Sequence, residues 1–400
     1  MDAFIPYGSY FSTPFAKWQG SLANVPSTDL LVHAARAFLD GRGLPPTAFD
    51  YGVLGVTVPQ RQVFYGLPWL LGRLGATAVG GPTIAQACAT SARCLAVAAQ
   101  EVASGGARTT LVLTTDRTSN GPHLYYPNPK GPGGTGAHED WVVDNFARDP
   151  FAELSMIETA ENVAKKHGVS TEEQHEVVLM RSEEYARACA DDAAFLRRFM
   201  LLPFSIADRR GGKAFELTGD EGVVRSTREG LAKLRPVREG GTVTYGGQTH
   251  PADGAAGCVV TTEARARELS TDPSVRVRLA GFGQARVDRG FMPEAPVPAA
   301  RRALDRAGFA MSDVVAVKSH NPFAVNDVVF ARETGFDLRA MNRYGCSLVW
   351  GHPQAPTGLR AILELVEELV LRGGGVGLFQ GCAAGDTGMA VVVEVTQAKP

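Results

Sequence analysis

The sequence lacks the features that would direct a protein to a membrane or to nucleic acid. Its 40 basic and 42 acidic side chains give a formal net charge of only −2 over 400 residues, with no basic stripe. The longest uncharged run, residues 74–92, is rich in Gly, Thr and Pro, which suits a membrane-spanning helix poorly. We therefore expect neither a nucleic-acid partner nor a membrane partner.

Paired cysteines of the kind that hold zinc or build a disulfide framework are also missing. The six cysteines, at positions 88, 94, 189, 258, 346 and 382, include no CxxC pair, and no histidine follows them at zinc-site spacing. The N-terminus shows no secretory signal pattern, so we expect a cytoplasmic protein with free thiols and no metal. Most such cysteines are small buried apolar residues.

Strand-like and helical patterns alternate along most of the chain. Apolar residues in "SARCLAVAAQEVASGG" (91–106) recur at helical spacing, between strand-like stretches at 77–88 and 109–116. The same alternation returns after residue 241. This pattern predicts a layered α/β fold with a largely parallel sheet, and its recurrence indicates a duplicated core. With 44% apolar and 20% charged residues, the chain has the composition of a folded protein of more than one unit.

The composition changes at Ser119. A stretch rich in Gly and Pro comes first, and charge-rich helical patterns follow at 155–197 and 226–234. The glycine run "GPGGTG" (131–136) is not followed by the Lys-Ser/Thr of a phosphate-binding loop, so we expect a mobile loop there. Residues 119–243 are therefore predicted to form an insertion layered on the sheet.

Four side chains with acid, base or nucleophile chemistry fall at predicted ends of strands or starts of helices. Cys88 lies between a strand and a helix, where the helix N-terminus would favour the thiolate, although a buried packing role is the alternative. His352 precedes an amphipathic helix and could accept a thiol proton. Cys382 and His320 each end a strand. Ligands bind at this edge of α/β sheets.

Several ordered motifs resemble the thiolase family over nearly the whole chain. They are "SYFSTPFAKWQGSLA" (9–23), "TAENVAKKHGVSTEEQ" (159–174), the series "LAKLRPV", "GGTVT" and "DGAAG" (231–257), "GHP" (351–353) and "GCAAGDTG" (381–388). The resemblance implies two five-stranded mixed sheets in an αβαβα layering, with an inserted loop domain. Residues 1–118 with 244–270 would form the N-terminal core half, 119–243 the inserted domain, and 271–400 the C-terminal core half.

The resemblance also implies a role for each candidate residue. Cys88 matches the nucleophile that carries the acyl group, and His352 matches the base that activates it and helps to hold a thioester oxygen. Cys382 matches the acid and base at the α-carbon. His320 aligns with the first residue of the family's N-E-A-F block, where an Asn usually anchors a water.

Further positions match the substrate-binding parts of the family, some with altered residues. Met156 matches a residue lining the acyl pocket, and Thr249 keeps a hydroxyl near the pantetheine. Ala384 stands where a Gly usually offers its N–H to an oxyanion, Trp350 replaces a smaller residue before the His block, and His250 replaces a Gly. The nucleophile block reads "CATS" (88–91) in place of the common C-G-S-G.

The implied function is that of a CoA-dependent acyltransferase. It would cleave a 3-oxoacyl-CoA by thiolysis, or condense two acyl-CoAs in reverse, through an acyl-enzyme at Cys88. CoA would be a substrate, no tightly bound cofactor is implied, and the chain would form a homodimer or homotetramer. Two alternatives stay open: a decarboxylating ketoacyl synthase, against which Cys382 argues, and a catalytically silent subunit that binds CoA esters.

Overall fold

The computed structural model of the chain describes residues 2–207 and 215–398. Its strands are β1 (Ala3–Ile5), β2 (Tyr10–Ser12), β3 (Ala16–Lys17), β4 (Tyr51–Gly55), β5 (Thr83–Ile84), β6 (Thr109–Arg117), β7 (His123–Tyr126), β8 (Ala137–Asp140), β9 (Phe204–Ile206), β10 (Phe215–Leu217), β11 (Ala252–Thr261), β12 (Val275–Arg286), β13 (Val314–His320), β14 (Gly375–Ala383) and β15 (Thr387–Gln397).

Its helices are α1 (Ser27–Arg42), α2 (Gly66–Leu74), α3 (Thr90–Ser104), α4 (Val143–Ala147), α5 (Met156–His167), α6 (Thr171–Ala188), α7 (Ala190–Ala193), α8 (Arg228–Leu231), α9 (Glu263–Leu269), α10 (Pro296–Ala307), α11 (Ala324–Thr334), α12 (Ser347–Trp350) and α13 (Thr357–Leu371). Within the described residues, none of these helices combines the length and apolar character that a bilayer span requires.

The strands form two halves that meet at β1. The hydrogen-bonded order is β13-β14-β15-β12-β1-β11-β6-β4-β5, with β2 and β3 also paired to β11. Strands β13 and β14 are parallel, as are β6, β4 and β5, whereas the pairs around β1 are antiparallel. The predicted pair of five-stranded mixed sheets is confirmed, with one difference: the halves share β1, so the pairing is continuous.

Helices cover both faces of each half and also fill the space between them. Helices α3 and α13 pack in one apolar cluster with side chains from both halves of the sheet. Helices α1 and α2 cover the outer face of the β4–β6–β11 half, and α10 and α11 cover that of the β13–β14–β15 half. This is the predicted αβαβα layering, and it explains why β6 and β11 are buried along nearly their whole length.

The inserted segment packs over the carboxyl end of the C-terminal half. Helices α5 and α6 share an apolar cluster with α11 and with Cys382. Residues 131–136, expected to form a mobile loop, lie in the connection between strands β7 and β8, which pair from His123 to Asp140. The strand predicted at 77–88 is limited to Thr83–Ile84, because Gly80, Gly81 and Pro82 precede it. The residue boundaries of the three predicted units stay a prediction.

A buried ion pair ties the inserted segment to the central layer. Arg360 of α13 donates to both carboxylate oxygens of Asp220 at 2.6 Å, and both side chains are fully buried. Asp220 also accepts hydrogen bonds from the backbone N–H of Phe15 and the hydroxyl of Tyr185. The Arg360 guanidinium lies over the Trp350 ring, 4.2 Å from its centroid. The Asp220 carboxylate therefore accepts four hydrogen bonds inside the core.

Removing one side of this ion pair should destabilise the fold strongly. In the part of the chain that the structure describes, Asp220→Ala leaves the buried Arg360 cation with Glu364, at 3.2 Å, as its one anionic partner. We expect a loss of about 3–5 kcal/mol in the free energy of unfolding, measured by urea denaturation. The matched control is Arg267→Ala, which breaks the exposed Arg267–Glu263 pair and should cost less than about 0.5 kcal/mol. Equal losses in the two variants would contradict this account.

Candidate active site

Cys88 lies immediately before α3, one of the two central helices. The preceding residue, Ala87, has φ +43°, a left-handed conformation that is costly for a residue with a Cβ. The hydroxyl of Thr90 stabilises this turn, because it donates to the carbonyl of Ala87 and accepts from the N–H of Gln86. The strained turn places the partly exposed Cys88 side chain above the end of the sheet.

His352 lies in the equivalent place before α13, the second central helix. Its Nε2 is 3.0 Å from the Cys88 sulfur, and its Nδ1 is 2.7 Å from the hydroxyl of Thr357, the first residue of α13. Its backbone N–H donates to the carbonyl of His250 at 2.9 Å. Gly351 has φ +92°, and a Cβ there would lie 2.8 Å from the His250 ring, so the approach to His352 requires glycine.

His320 ends β13 and stacks on His352. The two ring centroids are 4.0 Å apart with an interplanar angle of 29°. His320 pairs in register with Gly381 of the parallel strand β14, and a Cβ at Gly381 would lie 2.9 Å from the Cβ of His320. The absence of a side chain at Gly381 therefore leaves room for the His320 side chain beside the strand.

Cys382 follows Gly381 near the end of β14 and is almost fully buried. Its sulfur accepts a hydrogen bond of 3.3 Å from the side-chain amide of Asn326, which lies in the first turn of α11. The Cys382 sulfur also lies close enough to Cys88 for a thiolate at either site to disfavour one at the other. The structure thus brings together all four residues predicted to be catalytic.

Burial keeps these groups neutral. It lowers the pKa of His320 to about 3 and that of His352 well below its ordinary value. It raises the pKa of the Cys88 thiol to about 12 and that of Cys382 further. Burial therefore opposes the thiolate that was expected at the start of α3 and favours the neutral thiol. The Cys88 proton instead has a neutral imidazole as its neighbour.

Backbone N–H groups face the Cys88 sulfur. Those of Ala384 and of Cys88 itself act to lower the pKa of the thiol, although burial exceeds their effect. Ala384 lies in the exposed turn between β14 and β15 and does not need a left-handed conformation. The replacement of glycine by Ala384 therefore leaves its N–H available in the site.

The other predicted binding residues divide into two groups. Met156, at the start of α5, packs against the cluster that contains Cys382. The Thr249 hydroxyl donates to the carbonyl of Ser347 at 2.5 Å. His250 is held behind Gly351. Trp350, in contrast, is fully enclosed, with its ring on Phe15 and Arg360. The structure therefore corrects the prediction for Trp350, which belongs to the core beneath the site.

Several polar residues of the site were not predicted from the sequence. Thr357 and Ser347 each contact the Nδ1 atom of one histidine, and Asn326 contacts Cys382. A hydroxyl five residues after His352, at a predicted helix start, was a usable signal for Thr357. Asp116 is buried and accepts hydrogen bonds from the N–H groups of Thr57, Val58 and Ala355, which fixes the chain beyond His352.

Cys88, His320 and His352 also have the donor types of a zinc site. One ligand atom from each lies within 4.8 Å of the other two. The same three atoms are those expected to act on a carbonyl group. The expectation of a reaction without a metal stays a prediction.

Comparisons with known proteins agree with this geometry. The profile of the thiolase N-terminal domain matches residues 9–264, and that of the thiolase C-terminal domain matches residues 274–395. An acetyl-CoA acetyltransferase of Paracoccus denitrificans is 30% identical, over 96% of this chain and 97% of the relative. One of Pseudomonas aeruginosa is 29% identical, over 95% and 96%.

Solved structures show the same similarity in three dimensions. Human mitochondrial 3-ketoacyl-CoA thiolase superposes with a TM-score of 0.89 and 27% identity, covering 99% of both chains. The Bacillus anthracis acetyl-CoA acetyltransferase superposes with a TM-score of 0.90 and 26% identity, covering 98% of both. Since two family profiles and full-length relatives cover nearly the whole sequence, the chain is a member of the thiolase family.

Proposed function

We propose that the chain is a CoA-dependent acyltransferase that forms an acyl-enzyme on Cys88. It cleaves a 3-oxoacyl-CoA by thiolysis with CoA, or condenses two acyl-CoAs in the reverse direction. The observation that carries the proposal is the 3.0 Å contact between the Cys88 sulfur and Nε2 of His352, with His320 and Cys382 beside it. Family relatives named acetyl-CoA acetyltransferase support the same reaction class.

The first step transfers an acyl group to Cys88. In the thiolysis direction, His352 takes the thiol proton while the sulfur attacks the 3-keto carbon of the substrate. The N–H groups of Cys88 and Ala384 are the proposed donors to the resulting oxyanion, because both act on the same sulfur centre. When the bond between carbons 2 and 3 breaks, the acyl group stays on the sulfur as a thioester.

Cys382 completes the first half of the reaction and starts the second. The carbanion released as carbon 2 takes the Cys382 proton, which yields a shorter acyl-CoA and a thiolate at Cys382. That thiolate then removes the proton from an incoming CoA thiol, whose sulfur attacks the Cys88 thioester. The Cys88 sulfur leaves and recovers its proton from His352. A thiol with a raised pKa, such as Cys382, suits this role because its thiolate is a strong base.

A cavity on the inserted segment is the proposed site for the nucleotide end of CoA. It has a volume of about 570 Å³ and lies between α6 and residues 225–228. Arg225, Arg228 and Arg339 line it together with Glu176 and Glu183, and Arg228 is paired with Glu176. Guanidinium groups of this kind bind phosphates with charge-assisted hydrogen bonds.

We also propose a cytoplasmic, homo-oligomeric enzyme, either a dimer or a tetramer. The bacterial relatives support the location. Strand β5 ends the described pairing order, so its outer edge can accept a strand from a second copy. Fatty acid metabolism is the proposed physiological setting, because 3-oxoacyl-CoA thioesters are its intermediates.

Acylation of Cys88 is the direct test of the proposed chemistry. Incubation with acetyl-CoA, followed by intact and peptide mass analysis, should show one acetyl group on Cys88. Cys88→Ser should lose thiolysis of acetoacetyl-CoA by at least about 10³-fold, because an alcohol is a far weaker nucleophile here. Cys189→Ser, which alters an exposed thiol, is the matched control and should keep full activity.

The outcomes of this experiment separate the candidate functions. An unmodified wild-type protein would identify a silent subunit that binds CoA esters. Release of carbon dioxide from malonyl-CoA, together with condensation, would identify a decarboxylating synthase. Full thiolysis by Cys88→Ser would exclude Cys88 as the nucleophile.

The acylation rate should be nearly independent of pH around neutrality. Burial holds the pKa of His352 well below its ordinary value and raises the pKa of Cys88 to about 12. The base therefore stays unprotonated and the nucleophile stays a thiol from about pH 6 to about pH 8. Rapid-quench measurement of acetyl transfer from acetyl-CoA should give a flat profile. A rise of about tenfold per pH unit would indicate attack by a free thiolate without His352.

The arginine-lined cavity can be tested with a shortened substrate. Arg225→Ala should raise KM for acetoacetyl-CoA by about tenfold, the effect of losing one charge-assisted phosphate contact. The same variant should be unchanged with acetoacetyl-pantetheine, which has no nucleotide. Arg148→Ala, at an exposed ion pair with Glu153, is the matched control. Equal losses with both substrates would place the nucleotide elsewhere.

A further inference from the structure

We infer that Ser347 and Thr357 hold the two stacked imidazoles in opposite tautomers. Thr357 keeps the proton of His352 on Nδ1, which leaves Nε2 free to accept the Cys88 proton. Ser347 keeps the proton of His320 on Nε2, which makes that atom a hydrogen-bond donor to the reacting carbonyl. Both hydroxyls are positioning residues. The catalytic consequence rests on the proposed function, whereas the tautomers themselves do not.

The surroundings of the Ser347 hydroxyl determine the direction of its hydrogen bond. Its oxygen lies 2.9 Å from Nδ1 of His320 and accepts the backbone N–H of Asn321 at 3.1 Å. Within residues 2–207 and 215–398, the one competing acceptor for its single proton is the Asn321 side-chain oxygen at 3.2 Å, which already accepts the N–H of Leu348. The shorter contact favours donation from Ser347 to His320 Nδ1.

The other ring nitrogen of His320 then carries the proton. Nε2 is buried and has no hydrogen-bond partner among the described residues. Since Nδ1 is occupied by Ser347, Nε2 is the nitrogen available to the cluster with Cys88 and His352. An unprotonated Nε2 of His320 would direct its lone pair toward the Cys88 sulfur and toward the lone pair of His352. A protonated Nε2 avoids this repulsion, and its N–H could donate a hydrogen bond to a substrate oxygen.

His352 requires the opposite arrangement. Nε2 of His352 lies 3.0 Å from the Cys88 sulfur, and a base that accepts the Cys88 proton must be unprotonated at that nitrogen. Nδ1 therefore carries the proton and donates it to the Thr357 hydroxyl at 2.7 Å. Two imidazoles 4.0 Å apart thus perform different tasks, since one accepts a proton and the other donates a hydrogen bond.

Nitrogen-15 NMR of protein labelled in its histidine rings measures these tautomers directly. Protonated and bare ring nitrogens of a neutral imidazole differ widely in chemical shift, and two-bond correlations to the ring protons identify which is which. Near pH 7 we expect His320 protonated on Nε2 and His352 protonated on Nδ1. Signals lost in His320→Asn and in His352→Asn provide the assignments.

Variants of Ser347 test its part in this arrangement. Ser347→Ala should shift His320 toward the other tautomer and lower the rate of Cys88 acetylation by about tenfold, a fraction of the effect of losing an oxyanion donor. KM for acetyl-CoA should stay unchanged, because Ser347 is buried and does not reach substrate. Ser347→Thr retains the hydroxyl and should restore both the tautomer and the rate. Circular dichroism of each variant verifies folding.

Each outcome decides the inference. The same tautomer in both wild-type rings would overturn it, as would an unchanged His320 signal and an unchanged rate in Ser347→Ala. A protein that shows the expected tautomers but accepts no acetyl group would refute the proposed function and leave this inference intact.

Discussion

The active site depends on one hydrogen bond, between the Cys88 sulfur and Nε2 of His352. Cys88 lies two residues before α3 and His352 five residues before α13, and each of these central helices belongs to a different half of the duplicated core. The packing of α3 against α13 therefore sets the distance between nucleophile and base. Because the helices lie between the two halves of the sheet, neither Cys88 nor His352 can shift without disturbing the middle layer of the protein.

Burial gives this contact its chemical character. An exposed cysteine beside a histidine readily forms an ion pair, but here burial disfavours both charged forms. The pair is a neutral thiol and a neutral base, and charge would appear only when a carbonyl group arrives to receive it. The N–H groups of Cys88 and Ala384 are already oriented toward the sulfur, so little rearrangement would be needed at that moment.

The sequence alone was sufficient for the fold class, for the layering and for the convergence of Cys88, His320, His352 and Cys382. The fold class follows from the alternation of strand and helix patterns, and the convergence from side chains at strand and helix ends, whereas the layering follows from the motifs that resemble the thiolase family. Three features could not be obtained in this way. The pKa of Cys88 depends on how far the fold buries its sulfur, and the position of Trp350 depends on packing against Arg360 and Phe15. The role of Ser347 depends on its contact with His320.

The short shared strand β1 has a consequence for the order in which the molecule can form. Residues 3–5 pair with residues 277–279 and with residue 261, which are synthesised more than 250 residues later. These three apolar residues therefore stay unpaired in the growing chain until both partner strands have been synthesised. Joining the two halves of the sheet is a long-range step that closes late in assembly.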